Sequence, residues 1–168
     1  LKIMNKPFNH DHALTMAKKM SELGISTQAC FIIGVPGETQ EDQDLTISYV
    51  KQLMEVGVNE IAAYIFAPIP GAKLSESLDG YKHYSQCTFS PTWREDYEEV
   101  LDFRKRMYIT YFGSLALRPL EVLNRIKGIL LRRYRTKMEM SLLKQIKLYA
   151  LLYIPWAFRK INAERYFK

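Results

Sequence analysis

The chain has 168 residues, 48% of them hydrophobic and 25% charged, a composition that excludes global disorder and a length that buries roughly 70% of the surface an unfolded form exposes. Its two cysteines, Cys30 and Cys87, are separated by 56 residues, which excludes a disulfide framework or a CxxC metal site and fits a reducing, cytoplasmic setting. The net charge of +6 conceals an asymmetry: residues 1–100 carry 8 Lys/Arg against 14 Asp/Glu, residues 101–168 carry 16 against 4, so the basic C-terminal third suits nucleic acid, anionic lipid or an acidic face of its own protein.

The N-terminal stretch "LKIMNKPFNH" has no initiator Met and no signal-peptide pattern and begins in mid-element, so the chain is expected to be a piece of a longer one. Apolar residues then recur at Ala13, Leu14, Ala17, Met20 and Leu23, the spacing of a helix with one buried face. Asn9 suits its N-cap and Gly24 its C-terminal stop. "STQACFII" and "EIAAYIF" are short apolar runs that fit strands covered on both faces. Between them Thr39 and Asp42 have the spacing of a capping box, and Leu45, Tyr49, Val50, Leu53 and Met54 form a helical stripe ending near Gly57. Strand, helix, strand implies a parallel right-handed crossover. Two parallel strands do not make a stable sheet alone, so neighbouring strands are expected outside this chain.

No strand is expected after Phe66. From Ser90 the sequence "SPTWREDYEEVLDFRKRMYITYF" predicts one long helix, opened by Ser-Pro and carrying Trp93, Tyr97, Val100, Leu101, Met107, Tyr108 and Tyr111. Pro119 opens another, with Leu123, Ile126 and Leu130 on one face, followed by the basic cluster "RRYRTK". A last segment begins near Ser141 and includes an uncharged run of 11 residues, Leu148 to Phe158, broken by Pro155. A spanning helix needs about 20 apolar residues, which excludes a transmembrane segment here. Two readings stay open: a helix packed on its own domain, or one lying in a membrane interface through Tyr149, Tyr153 and Trp156, flanked by Lys144, Lys147, Arg159 and Lys160.

The turn "GVPGETQED" after the first strand is not a Walker loop, because Glu38 stands where that loop needs a cation. Nor is it a dinucleotide fingerprint, since Gly34 and Gly37 have the wrong spacing. It offers backbone instead: glycines allow close approach to the main chain, and Pro36 stiffens the path between them. A second turn, "APIPGAKL" with Pro68, Pro70 and Gly71, follows the second strand. Ligands of α/β folds sit at the carboxyl ends of such strands. An ordinary strand-to-helix connection also favours Gly and Pro, with Glu38 and Glu41 serving the helix dipole.

"IIGVPGETQEDQDLTISYVKQL" followed by "IFAPIPGAKL" resembles the later half of the radical S-adenosylmethionine (SAM) catalytic domain, where a G-x-P-G-E-T turn follows the fifth strand of a partial (β/α)6 barrel and a P-x-P-G-T-x-L turn follows the sixth. Ala72 replaces the usual Thr. "LKIMNK" is similar to the segment after the fourth strand. "PTWREDYEEVLDFRKRMYITYF", leading to "LRP", resembles the helical extension of the subgroup with a cobalamin-binding domain, which implies cobalamin. The similarity spans about residues 1–125.

The resemblance implies an α/β fold, with residues 1–88 as the last two βα units of a TIM-like barrel and residues 89–168 as a basic helical extension. It implies an enzyme that cleaves SAM reductively with a [4Fe-4S] cluster to begin radical chemistry, such as methylation or cyclisation, on an unknown small-molecule or lipid-like substrate. It places Gly34, Val35, Pro36, Gly37 and Glu38 on the SAM site mainly through backbone, with Phe66, Ala67, Pro68, Pro70 and Gly71 against the adenine. Glu38 either meets the ligand or braces the turn. The polar residues of the fourth strand that meet ribose and methionine would precede Leu1. The cluster's CxxxCxxC motif is not in this sequence, so the chain alone is expected to be inactive; Cys30 is expected to be a core thiol and Cys87 a loop thiol. His10 and His12 flank Asp11 at i, i+2 and do not share a helix face, His83 reads as loop surface, and Tyr81 and Tyr84 could border a channel. The alternative from another class is a non-enzymatic module that docks on membrane through its basic helices. Nucleic acid is disfavoured because the tail's cations alternate with Leu and Ile.

Overall fold

The computed structural model describes residues 7–69, 71, 74, 78, 80–88 and 90–141. Contacts divide the chain into two compact units, Leu1–Pro119 and Leu120–Lys168.

The first unit is mixed α/β. Helix α1 (His10–Glu22) is opened by Asn9, whose side chain accepts the His12 N–H at 2.9 Å. It ends in a Schellman turn, with Gly24 N–H on Ser21 O, Ile25 N–H on Met20 O and Gly24 at φ 72°. Strand β1 (Gln28–Ile33) leads to α2 (Gln40–Glu55), which has the full Thr39/Asp42 capping box. The two Thr39 hydrogen bonds hold the exposed Asp42 carboxyl below its usual range. A second Schellman turn at Gly57 closes α2 and turns the chain into β2 (Glu60–Ile65). β1 and β2 pair in parallel, with Gln28 opposite Glu60 and Ile33 opposite Ile65. Among the described residues no strand follows β2.

Helix α3 (Tyr97–Ala116) packs on α2 and β2. The core between them holds Ile33, Val50, Leu53, Met54, Ile61, Ala63, Ile65, Val100, Phe103, Met107 and Tyr111. Tyr111 is wholly buried and donates its hydroxyl to Asn59 O at 2.9 Å, while Asn59 Oδ1 accepts the Thr27 N–H at 2.9 Å. The two bonds tie α3 to the turns that lead into both strands.

Two expectations are corrected. The helix expected from Ser90 begins at Tyr97, because Pro91 to Asp96 fold as turns around a buried Arg94. The strands expected to be covered on both faces are covered on one. Residues of odd number face the core, while Cys30, Ile32 and Tyr64 on the other face are exposed, the latter two at 41% and 46%. Cys30 is therefore a surface thiol of this unit, since no described element lies over that face.

In the second unit, α4 (Pro119–Leu130) follows the expected start at Pro119, and residues 137–141 are helical. Arg125 bonds Glu121 at 2.7 Å and lies 3.8 Å from Glu139. Glu139 in turn accepts the Arg135 N–H at 2.8 Å. The apolar run 148–158 and its flanking cations lie outside the described residues. Among the described residues no helix is long and apolar enough to cross a membrane.

Candidate functional site at the carboxyl ends of the paired strands

The parallel pairing brings the two strand ends, and the starts of the segments that follow them, side by side. The β1 turn is built from Val35 to Glu38: Glu38 N–H donates to Val35 O at 2.9 Å, Pro36 and Gly37 occupy the corner, and Gly37 has φ 81°. This is the arrangement of a type II turn, in which proline presets the first corner and glycine supplies the left-handed second. The Glu38 carboxylate folds back to accept the Gly34 N–H at 2.7 Å. Its brace role, one of two open in the sequence, is thus realised. Burial pushes the Glu38 carboxyl above its ordinary value, opposed by the Gly34 hydrogen bond and the Arg94 charge.

Gly34 is required by packing. It has φ 69°, and a Cβ there would stand 2.7 and 2.8 Å from the Val100 methyls and 3.4 Å from Arg94 Nη2. Its N–H is held by Glu38 and its carbonyl by Arg94, so all three faces of this residue are occupied by the protein itself.

Arg94 is the residue that sequence reasoning missed. Its side chain is 2% exposed. Nη2 donates to Gly34 O at 2.8 Å and Nη1 to Phe66 O at 2.7 Å, while Nε donates to Asp96 Oδ1 at 2.7 Å. One planar guanidinium therefore joins the last carbonyl of each strand end and is itself fixed by a bidentate carboxylate. That bond holds the Asp96 carboxyl below its usual range. The only local signal for Arg94 is the Arg-x-Asp spacing, which an exposed helix face would carry equally well.

Beyond β2, Phe66 extends the ladder by one bond, its N–H on Ile33 O at 2.7 Å. Ala67 is half-buried and Pro68 fully buried. Gly71 has φ 82° and faces open space where a Cβ would stand. Pro70 and Ala72 lie outside the described residues. The N–H groups of Val35, Gly37 and Ala67 have no hydrogen-bond partner among the described residues. These backbone donors, just past two strand ends that Arg94 ties together, are what the arrangement can offer a ligand.

The other candidates make local contacts of their own. His10 stacks edge-on between Phe8 and Tyr49. His83 caps the short turn at Tyr84–Gln86, and Tyr81 lies against Trp93, whose indole N–H donates to Gln86 O at 2.8 Å. Among the described residues no three His, Cys, Asp or Glu side chains come together to hold a metal. Cys30 and Cys87 do not fit an iron–sulfur cluster, which needs three or four convergent thiolates.

No family model matches the chain, and no solved structure matches it. Over 123 residues it is 31% identical to the ribosomal protein uS12 methylthiotransferase RimO of Chromobacterium violaceum, which is 72% of this chain and 24% of that protein. It is 30% identical over 81 residues to RimO of Klebsiella pneumoniae, 47% of this chain and 18% of the relative. It is 30% identical over 80 residues to the uncharacterised protein MK0932 of Methanopyrus kandleri, 48% of this chain and 15% of the relative. The chain thus spans a quarter or less of the length of these curated relatives.

Proposed function

We infer that residues 28–71 form one wall of a SAM pocket, as the last two βα units of the partial barrel of a radical SAM enzyme. The observation that carries this reading is the pair of adjacent parallel strand ends, tied together by Arg94 at Gly34 O and Phe66 O, with backbone N–H groups at Val35, Gly37 and Ala67 that have no hydrogen-bond partner among the described residues. Such donors suit the ring nitrogens of adenine, and Gly71 leaves room for close approach. The stretches shared with a methylthiotransferase support an origin in a group-transfer enzyme.

In this reading residues 1–88 belong to the barrel and residues 89–168 to an extension that reaches back to the barrel through Arg94. The role of this chain is to shape and hold the adenine side of the pocket. The cluster, which supplies the electron for SAM cleavage when bound, would be held by thiolates elsewhere on the polypeptide, because those present here do not fit it. Cobalamin rests on the resemblance of residues 91–119 alone.

Reconstitution with iron and sulfide tests the assignment. This chain alone should give no stoichiometric cluster absorbance. A polypeptide extended through the upstream reading frame should contain CxxxCxxC and give a reduced-cluster electron paramagnetic resonance signal that SAM alters. A full cluster on this chain, or none on the extended one, would overturn the reading.

A further inference from the structure

Helix α4 and the turn that ends it carry a pattern of their own. Leu120, Leu123, Ile126 and Leu130 recur at spacings that put them within one third of the helix circumference. All are exposed, Leu123 at 61% and Leu130 at 77%. A solvent-facing aliphatic stripe of this length is not expected on a helix without a partner. The charges beside it have one sign. Both acidic residues of the segment 120–141, Glu121 and Glu139, lie against Arg125. Lys127, Arg132, Arg133 and Arg135 are exposed.

Arg132 adds an independent observation. The helix ends in a Schellman turn, with Arg132 N–H on Ile129 O at 3.1 Å and Arg133 N–H on Gly128 O at 2.7 Å. The left-handed position of that motif belongs to glycine, yet Arg132 occupies it at φ 57°. A strained arginine where glycine would fold more easily, at the end of an exposed aliphatic stripe, points to a use for its charge.

We propose that α4 and its terminal turn, Leu120–Arg135, dock on the headgroup region of an anionic phospholipid bilayer. The aliphatic stripe enters the acyl boundary, and Lys127, Arg132, Arg133 and Arg135 meet lipid phosphates. Lipid fits better than nucleic acid because the cations flank a continuous aliphatic stripe, and Leu120–Arg135 offers a single aromatic ring, Tyr134, where stacking of successive bases needs several.

The test is co-sedimentation of the whole chain with vesicles of phosphatidylcholine alone and of equal parts phosphatidylcholine and phosphatidylglycerol. Binding is expected on the anionic vesicles only, weakening as salt is raised. Arg132→Gly should weaken it about fivefold, the loss of one cation near the surface, while the thermal unfolding midpoint stays or rises because the strain is relieved. Leu123→Gln with Ile126→Gln, both on solvent-facing positions, should weaken it at least about tenfold with unfolding unchanged. Absence of binding, or binding that neither variant changes, overturns the proposal, the latter placing the contact elsewhere in the chain. Tighter binding of single-stranded RNA, lost in the same variants, would reassign the surface to nucleic acid.

Discussion

Replacing Arg94 by Met removes the guanidinium that joins the two strand ends and leaves an apolar side chain of similar reach. The Gly34 and Phe66 carbonyls each lose a charge-assisted bond, at 2.8 and 2.7 Å, worth about 1.5–3 kcal/mol apiece. The Asp96 pair adds less than about 1 kcal/mol, because that carboxylate is 48% exposed and water screens it. Against these losses, burying Met in place of an ion removes a desolvation penalty. The net expectation is a destabilisation of about 3 kcal/mol. Urea unfolding followed by far-ultraviolet circular dichroism should show a lower midpoint with an unchanged slope. Arg94→Lys should recover at most about half, since one ammonium cannot span two carbonyls and a bidentate carboxylate. Asp96→Asn should cost less than about 1 kcal/mol. A loss below about 1 kcal/mol for Arg94→Met, or an equal loss for Asp96→Asn, would refute the carbonyl clamp.

Three further outcomes follow from the same geometry. Gly34→Ala should destabilise by about 3 kcal/mol, combining a left-handed backbone with a clash against Val100; pairing it with Val100→Ala should return about 1 kcal/mol relative to the sum of the single changes, measured as a double-mutant cycle. Glu38 titrates above its ordinary 4.5 because of burial, so its contribution is full below 4.5 and is lost as pH rises through the folded value. The stability of Glu38→Gln relative to wild type should therefore improve as pH climbs from 4.5, and a carboxyl resonance titrating below 4.5 would contradict this. Thr39→Val should cost about 1 kcal/mol in unfolding free energy by removing the side-chain cap of α2, and a neutral result would show the box to be redundant.

What was legible in the sequence was local. Asn9, Gly24, Thr39 with Asp42, Gly57 and Pro119 mark helix ends through bonds spanning a few residues, and each stands where its spacing put it. The stripe of α2 was legible too, although Leu45 at its start is exposed. What was hidden depends on partners far along the chain. Arg94 bonds carbonyls 60 and 28 residues earlier, and that inward turn delays α3 to Tyr97. Cys30 looked like core because its strand is apolar, but period-two alternation cannot say which face is covered. Glu38 carried two possible roles until its carboxylate was seen on Gly34 N–H.

The central claim is that the two turns form one wall of a single SAM pocket. Titrating the isotope-labelled chain with S-adenosylhomocysteine, a stable mimic of the cofactor, and following amide resonances by nuclear magnetic resonance tests it most directly. Saturable shifts at millimolar ligand should appear together at Val35, Gly37 and Glu38 after one strand and at Phe66 and Ala67 after the other, with α1 unmoved. Shifts confined to one turn, or none at either, would contradict the account.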